Sequence, residues 1–268
     1  MSGENGQGPE ATPQAGGWLE REEMLLGADG LARLSAARVA VVGCGGVGGY
    51  AAEMIARAGV GHILLLDSDV IADSNRNRQL IALSSTVGRS KCEVLAARLK
   101  DINPALEVET VTDYLEACRV GEQLASWPGR VDFVVDAIDT LAPKLALIKF
   151  CVEHQLPLVS SMGAGAKFDA TKVRLADLSK SFNCPLAFIV RKRLGHMGIR
   201  KGFPVVFSEE LPDRGGIVPA EERNKKSQVG TVSYLPAVFG CVCAQAAISF
   251  LRKSAKMPNF AASNFGNL

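Results

Sequence analysis

Short, wholly apolar runs alternate with longer amphipathic stretches along the first 160 residues of the chain. Val39–Val42 and His62–Leu66 read as buried parallel strands, because neither alternates polar with apolar positions. Leu106–Val111, Phe133–Val135 and Leu156–Ser160 complete a set of five. Between them, helical spacing predicts helices over Gly46–Arg57, Ser90–Lys100, Tyr114–Ser126, and from about Pro143 to His154, with Pro143 in a first turn. Arg21–Leu34 is an amphipathic lead-in whose apolar positions are Leu25, Leu26, Leu31 and Leu34. Regular β–α alternation predicts an α/β fold with a doubly wound, mostly parallel sheet. After Ser161 the rhythm changes. Val173–Leu175 and Val205–Phe207 are short apolar pieces between glycine-rich and charged loops, which predicts a mixed C-terminal half.

Length and composition fit one core. A chain of 268 residues, 47% of them hydrophobic, suits a single large domain. We divide it into an expected disordered extension over 1–17 and a domain over 18–268. The domain has a nucleotide-binding half at about 36–160 and a substrate-facing half at about 161–255. Gln228–Leu251 carries no formal charge, but Gly230, Ser233, Pro236, Gly240 and Gln245 interrupt it. A buried loop and core helix is therefore expected rather than a membrane span. The net charge of +2 excludes polyanion binding by the whole-molecule field and leaves it to local patches. Seven cysteines form no C-x-x-C pair, and with three scattered histidines they offer no zinc-ligand spacing. An odd cysteine count without a signal-peptide pattern predicts reduced thiols in a cytoplasm.

Three motifs carry the chemistry. Gly43, Gly45, Gly46 and Gly48 form a strand-to-helix turn of the kind that brings phosphate to a helix N-terminus. Asp67 and Asp69 close the second strand about twenty residues on, where a carboxylate accepts a ribose hydroxyl in such folds. NAD, FAD and ATP all satisfy that much. Ser74-Asn-Arg-Asn-Arg-Gln79 then adds Asn75, Asn77, Arg78 and Gln79, and Lys91 opens the next helix. Cations there suit chemistry at an α-phosphate, where negative charge builds up during transfer. A solvated surface charge is the plain alternative for Arg78 and Lys91. Asp136 and Asp139 end the fourth strand beside Thr140. We assign Asp139 to a magnesium ion and Asp136 to bracing the loop.

With these motifs the chain resembles the ubiquitin-activating-like adenylyltransferases, from about Trp18 to Gly240. Gly43-Cys-Gly-Gly-Val-Gly48, Asp67-Ser-Asp69, Ser74–Gln79, Val87-Gly-Arg-Ser-Lys91 and Asp136-Ala-Ile-Asp-Thr140 with Lys144 carry that likeness. Ser161-Met-Gly-Ala-Gly-Ala166, Ala176-Asp-Leu-Ser-Lys180, Pro185-Leu-Ala187 and Phe203–Glu209 are similar to the branch of tRNA threonylcarbamoyladenosine dehydratases. Cys184 stands where that branch leads one to expect an acid. The resemblance implies an ATP-dependent, usually dimeric enzyme in which Asp67, Asn77, Arg78, Lys91 and Asp139 bind ATP and its Mg2+. It also implies an N-terminal arginine reaching the neighbouring protomer's site, for which Arg21 is the candidate. It leaves open a sulfurtransferase-type protein partner.

The reaction so implied is dehydration of threonylcarbamoyladenosine in tRNA through an acyl-adenylate. Arg21, Arg78 and Lys91 would stabilise phosphate charge. Arg191, Lys192, Arg193, Arg200 and Lys201, and separately Arg223, Lys225 and Lys226, are basic clusters that could track tRNA phosphates. Activation of a ubiquitin-like sulfur carrier is the main alternative, though such relatives often carry zinc-binding C-x-x-C pairs. An NAD-dependent oxidoreductase has no use for Asn77, Arg78 and Lys91. Cys44 is read as a small side chain in the turn, and Cys241 and Cys243 as packing residues.

Overall fold

The computed structural model describes residues 17–125, 130–222 and 225–253. The expected N-terminal extension lies outside them except for Gly17, as does Arg223. Seven strands form one sheet in the order β3-β2-β1-β4-β5-β7-β6. They are β1 (Arg38–Val42), β2 (His62–Leu66), β3 (Glu107–Val111), β4 (Phe133–Asp136), β5 (Leu158–Ser161), β6 (Val173–Asp177) and β7 (Pro204–Ser208). All neighbours run parallel except β6 and β7. A separate hairpin pairs β8 (Ile217–Glu222) with β9 (Lys225–Val229), which carries Lys225 and Lys226. The doubly wound sheet and its mixed second half are as the apolar pattern predicts.

Helices cover both faces because β1, β2, β4, β5 and β7 are buried almost throughout, with apolar side chains pointing both ways. On one face α1 (Glu20–Ala36), α2 (Gly48–Arg57), α3 (Lys91–Ile102) and α7 (Tyr234–Leu251) enclose Val39, Val41, Ile63, Phe133 and Val159. On the other, α4 (Val120–Ala125), α5 (Leu141–Glu153) and α6 (Pro185–His196) pack over Ala40, Val42, Leu64, Val134 and Phe207. By length and composition alone α7 could cross a membrane, yet half of its apolar window is buried. Leu235, Phe239, Cys243 and Ala247 sit in the sheet's core, as expected of a core helix.

Some local expectations change. Of the helix expected over Tyr114–Ser126, the described residues form only Val120–Ala125, while Ser126 lies outside them; in Asp113–Cys118 only Leu115 is buried, so no apolar helical face forms there. The helix of the glycine turn starts at Gly48 rather than Gly46. Leu25 is 80% exposed beside Met24, not packed inward. In α1 the backbone breaks at Gly27 (φ +73°), so the residues before it follow a different helical face from Leu31 and Leu34. Cys243 is buried as expected, whereas Cys241 lies on the outer face of α7.

Candidate active site

The strand order reverses between β1 and β4, and a crevice opens there at their carboxyl ends, the place where open α/β sheets bind ligands. Two chain turns line it. The backbone N–H of Gly43 donates to the carbonyl of Leu66, and that of Ala137 to Val42, so each turn hangs from a neighbouring strand. Gly43 has φ +93°, and a Cβ there would lie 2.8 Å from the Ala137 oxygen. At Gly48 a Cβ would fall 1.7 Å from the Gly43 oxygen. Side chains at either position would fill the cradle, so α2 can begin against the turn with its first N–H groups facing the crevice.

The carboxylate end is rigid. Asp67 accepts hydrogen bonds from the Cys44 N–H (2.7 Å) and the Asp69 N–H (2.9 Å), which ties β2's exit to the glycine turn. Burial raises the Asp67 carboxyl above its usual range, and the Lys91 ammonium opposes that rise. Lys91 is not the solvated charge of the plain alternative. It is 6% exposed, 2.6 Å from Asp69 and 4.0 Å from Asp67. Its place follows from Ser90, whose side chain caps α3 by accepting from the Glu93 N–H, so Lys91 enters the first turn facing the strand ends.

The Ser74–Gln79 loop faces the glycine turn, starting in a short 3-10 turn over Asp73–Asn75. Asn75 spends its side-chain oxygen on the Ala72 N–H. Asn77 accepts from Arg78 at 2.8 Å and donates to the Thr231 carbonyl at 3.0 Å, joining this loop to the chain before α7. Arg78 also donates to the Ser74 carbonyl and stays partly exposed, its side chain beside Gly46. Gln79 is buried over Gly45, and its side-chain oxygen lacks a protein partner among the described residues. A buried acceptor left open at the phosphate turn is what a bound molecule with a donor would satisfy. Asp139 is exposed and Thr140 half-buried where β4 leads into α5. The structure thus brings the glycine turn together with Asp67, Asp69 and Lys91 and with the loop of Asn75, Asn77, Arg78 and Gln79, places Asp139 and Thr140 beyond the end of the neighbouring β4, and leaves Arg21 apart. Arg21 is exposed on α1, whose start packs through Leu19 against Gly59, in the turn that enters β2 at the amino ends of the strands, opposite the crevice.

Asp136 braces the loop, as expected, and does so with a partner to which sequence reading gave no role. Lys144 lies 2.8 Å from Asp136, both side chains fully buried. Lys144 also donates to the Ile138 carbonyl, while Ser160 and the Ile138 N–H donate to Asp136. The available signal was one lysine within the otherwise apolar Leu141–Ile148 stretch of a helix. Among the described residues no group of three or more His, Cys, Asp or Glu side chains converges on a metal position. Asp136 is engaged in bracing, and Asp139, exposed just after β4, is the carboxylate to which the sequence assigns a magnesium ion. Such an ion ordinarily takes one or two carboxylates, phosphate oxygens and water.

Comparison with known proteins agrees with this geometry. The model of the ThiF family matches residues 19–267. The tRNA threonylcarbamoyladenosine dehydratase of Bacillus subtilis is 40% identical, covering 84% of this chain and 90% of that protein. The SAMP-activating enzyme E1 of Haloferax volcanii is 30% identical over 84% of this chain and 71% of its own. Among solved structures, the ATP complex of the E. coli tRNA N6-threonylcarbamoyladenosine dehydratase superposes with a TM-score of 0.78 at 35% identity. That match covers 86% of this chain and 92% of the E. coli chain. By sequence, fold and the make-up of its nucleotide crevice, the chain belongs to the ThiF family.

Proposed function

We propose that this chain dehydrates threonylcarbamoyladenosine in tRNA at the expense of ATP. The observation that carries the reading is the convergence, at one switch point, of a glycine cradle, a buried Lys91 placed between Asp67 and the exposed Asp69, and Arg78. A dinucleotide site needs the cradle and Asp67 and has no use for the two cations, Lys91 and Arg78. The relatives' activity and the ATP complex of the E. coli protein support the same assignment.

Asp67 would take the ribose hydroxyls, since its oxygens already face the turn and keep acceptor capacity beyond two backbone bonds. The substrate carboxylate attacks the α-phosphorus and pyrophosphate departs. The carbamoyl group then attacks the activated acyl carbon, loses a proton, and expels AMP with one of the former carboxylate oxygens. The net change in the nucleoside is loss of one water. Arg78 and Lys91 stabilise charge on the transferring and leaving phosphates, and the backbone N–H groups that open α2 orient them. Asp139 would hold magnesium, which would supply charge to polarise the phosphate oxygens. No protein nucleophile is required.

A homodimer forms part of this proposal. Arg21 stands far from its own crevice, and next to it Met24 and Leu25 are 82% and 80% exposed. Exposed Met24 and Leu25, which follow the acidic first turn that carries Arg21, suit contact with a second copy, where Arg21 would reach the phosphate end. The test is mass spectrometry of nucleosides from tRNA incubated with the protein and Mg-ATP. The expected product is lighter by one water, with AMP and pyrophosphate released in step. Unchanged nucleoside, with AMP instead appearing on the C-terminus of a ubiquitin-like carrier, would replace this reading with sulfur-carrier activation.

A further inference from the structure

The first turns of α6 hold a solvent-facing combination that the nucleotide chemistry does not use. Ala187, Val190 and Leu194 point into the core, which leaves Phe188 (60% exposed), Ile189 (41%), Lys192 and Arg193 on the outer face. Just before the helix, Phe182 is 46% exposed and rests edge-on against Phe207. Large apolar side chains and cations thus share one surface. Arg191, which the sequence placed in the same basic cluster, is turned inward to Ser181 and fixes the helix instead.

The start of this helix lies on the β5 side of the crevice. The helix begins against Gly163, where a Cβ would lie 3.7 Å from Cys184 Sγ and 3.8 Å from Leu186 Cβ. Gly163 follows β5 by two residues, and β5 is the next strand beyond β4. Two strand spacings, about 10 Å, therefore separate the end of β5 from the glycine turn on β1. The opposite side of the crevice is taken up by Asp67, Asp69 and Lys91, so a bulky co-substrate approaches from the β5 side.

The charge of the segment selects the partner. From Leu178 to Ser208 there are Lys180, Arg191, Lys192, Arg193, Arg200 and Lys201, and no Asp or Glu. The nearest acids beyond it are engaged. Asp177 accepts from Ser179 and Gly202, Glu209 pairs with Arg174, and Glu210 accepts from the Phe168 and Asp169 N–H groups. Exposed phenylalanines amid unopposed cations fit single-stranded RNA, whose bases stack on aromatic rings while its phosphates meet the cations. A protein surface would have to supply acids to match.

We infer that the outer face of α6, with Phe188 and Ile189 as an apolar platform and Lys192 and Arg193 as phosphate contacts, docks the unpaired loop of the substrate RNA beside the crevice. The inference rests on the proposed RNA substrate.

Two variants test it, Phe188→Ala/Ile189→Ala and Lys192→Ala/Arg193→Ala, each compared with wild type for tRNA binding across a salt series. The first should weaken binding roughly tenfold. It should also leave the salt dependence unchanged. The second should flatten the slope of log K against log salt by about 1.4, two phosphate contacts on a single strand. Thermal stabilisation by Mg-ATP and the mass by light scattering should stay at wild-type values in both. Wild-type tRNA binding by both variants would overturn the inference. So would a change of oligomeric state in the first, which would assign the face to a second copy. Failure of wild type to dehydrate the nucleoside is a separate result and bears on the proposed function, whereas docking is read from binding alone.

Discussion

Replacing Lys144 by Met should cost this protein more stability than almost any other single change outside the apolar core. Lys144 and Asp136 are fully buried and 2.8 Å apart. At an effective dielectric near 20 their attraction is about 6 kcal/mol, and the cost of removing two ions from water cancels much of it. The intact pair therefore adds little net stability. Removing one partner is different, because a buried charge is left uncompensated at a cost of about 3–5 kcal/mol. Met matches the length of Lys and leaves no large cavity. Asp136 keeps its hydrogen bonds from Ser160 (2.5 Å) and the Ile138 N–H (3.1 Å), which places the loss near the lower end of that range.

Asp136→Asn should be similarly costly, since it leaves the buried ammonium with neutral oxygen acceptors, the Ile138 carbonyl among them, and no counter-charge. The double variant should recover at least about 2 kcal/mol of the summed loss, because neither charge is then buried alone. Urea unfolding at unchanged m-value measures all three. Losses below about 1 kcal/mol for each single change, or simple additivity in the double, would refute the account. Because the pair pins Ala137–Asp139, Lys144→Met should also weaken stabilisation by Mg-ATP.

Two further outcomes follow from the site and its supports. Lys91→Ala should lower the turnover of ATP to AMP, with tRNA present, by roughly two to three powers of ten, whereas Asp67→Ala should act mainly on the apparent affinity for ATP. Near-normal turnover for Lys91→Ala in steady-state kinetics would remove Lys91 from the chemistry. Glu53 on α2 titrates below the usual carboxylate range. Burial alone would push it up, but Arg98 on α3 and Arg57 outweigh that. A lowered folded pKa contributes stability that is present above the unfolded carboxylate pKa and is lost as pH falls through the folded one. Glu53→Gln should therefore unfold more easily at neutral pH, with a shallower acid limb than wild type in pH-dependent melting. Parallel acid limbs would contradict it.

The strands were legible because buried parallel strands are continuous apolar runs, and Val39–Val42 and His62–Leu66 admit little else. The glycine turn and Asp67 were legible because backbone conformation and a strand end fix them locally. What could not be read depends on distant partners. No local pattern shows that Lys91 is buried between Asp67 and Asp69, since the strand end and the helix start meet only in the folded sheet. Lys144 needed knowledge that α5 lies over β4. The inward turn of Arg191 depends on Ser181 ten residues earlier, so a run of three basic residues looked like one surface when it serves two purposes. The lead-in helix failed at Leu25 because apolar spacing was carried across Gly27, where the backbone leaves the helical region.

The crevice divides into a finished end and an unfinished one. Around the ribose position Asp67 is held by the backbone N–H groups of Cys44 and Asp69 and flanked by the buried Lys91. That end needs no reorganisation to receive a nucleoside, and it discriminates poorly among nucleotides because all of them carry a ribose. At the phosphate end the fixed donors are backbone N–H groups of the turn and the buried Lys91 ammonium, whereas the second cation, Arg78, sits partly in water on a loop. Electrostatic stabilisation of a transferring phosphate is strongest where water is excluded and charges are held in place. Within one subunit that condition is not met. Arg21 from a second copy and the RNA itself, docked along α6, would each cover part of the open side. On the proposed reading, ATP can bind to this protein at rest, and its α-phosphate becomes reactive when the other participants close over it. Such coupling protects the nucleotide from futile hydrolysis, and it explains why an enzyme that activates a carboxylate can dispense with a covalent nucleophile.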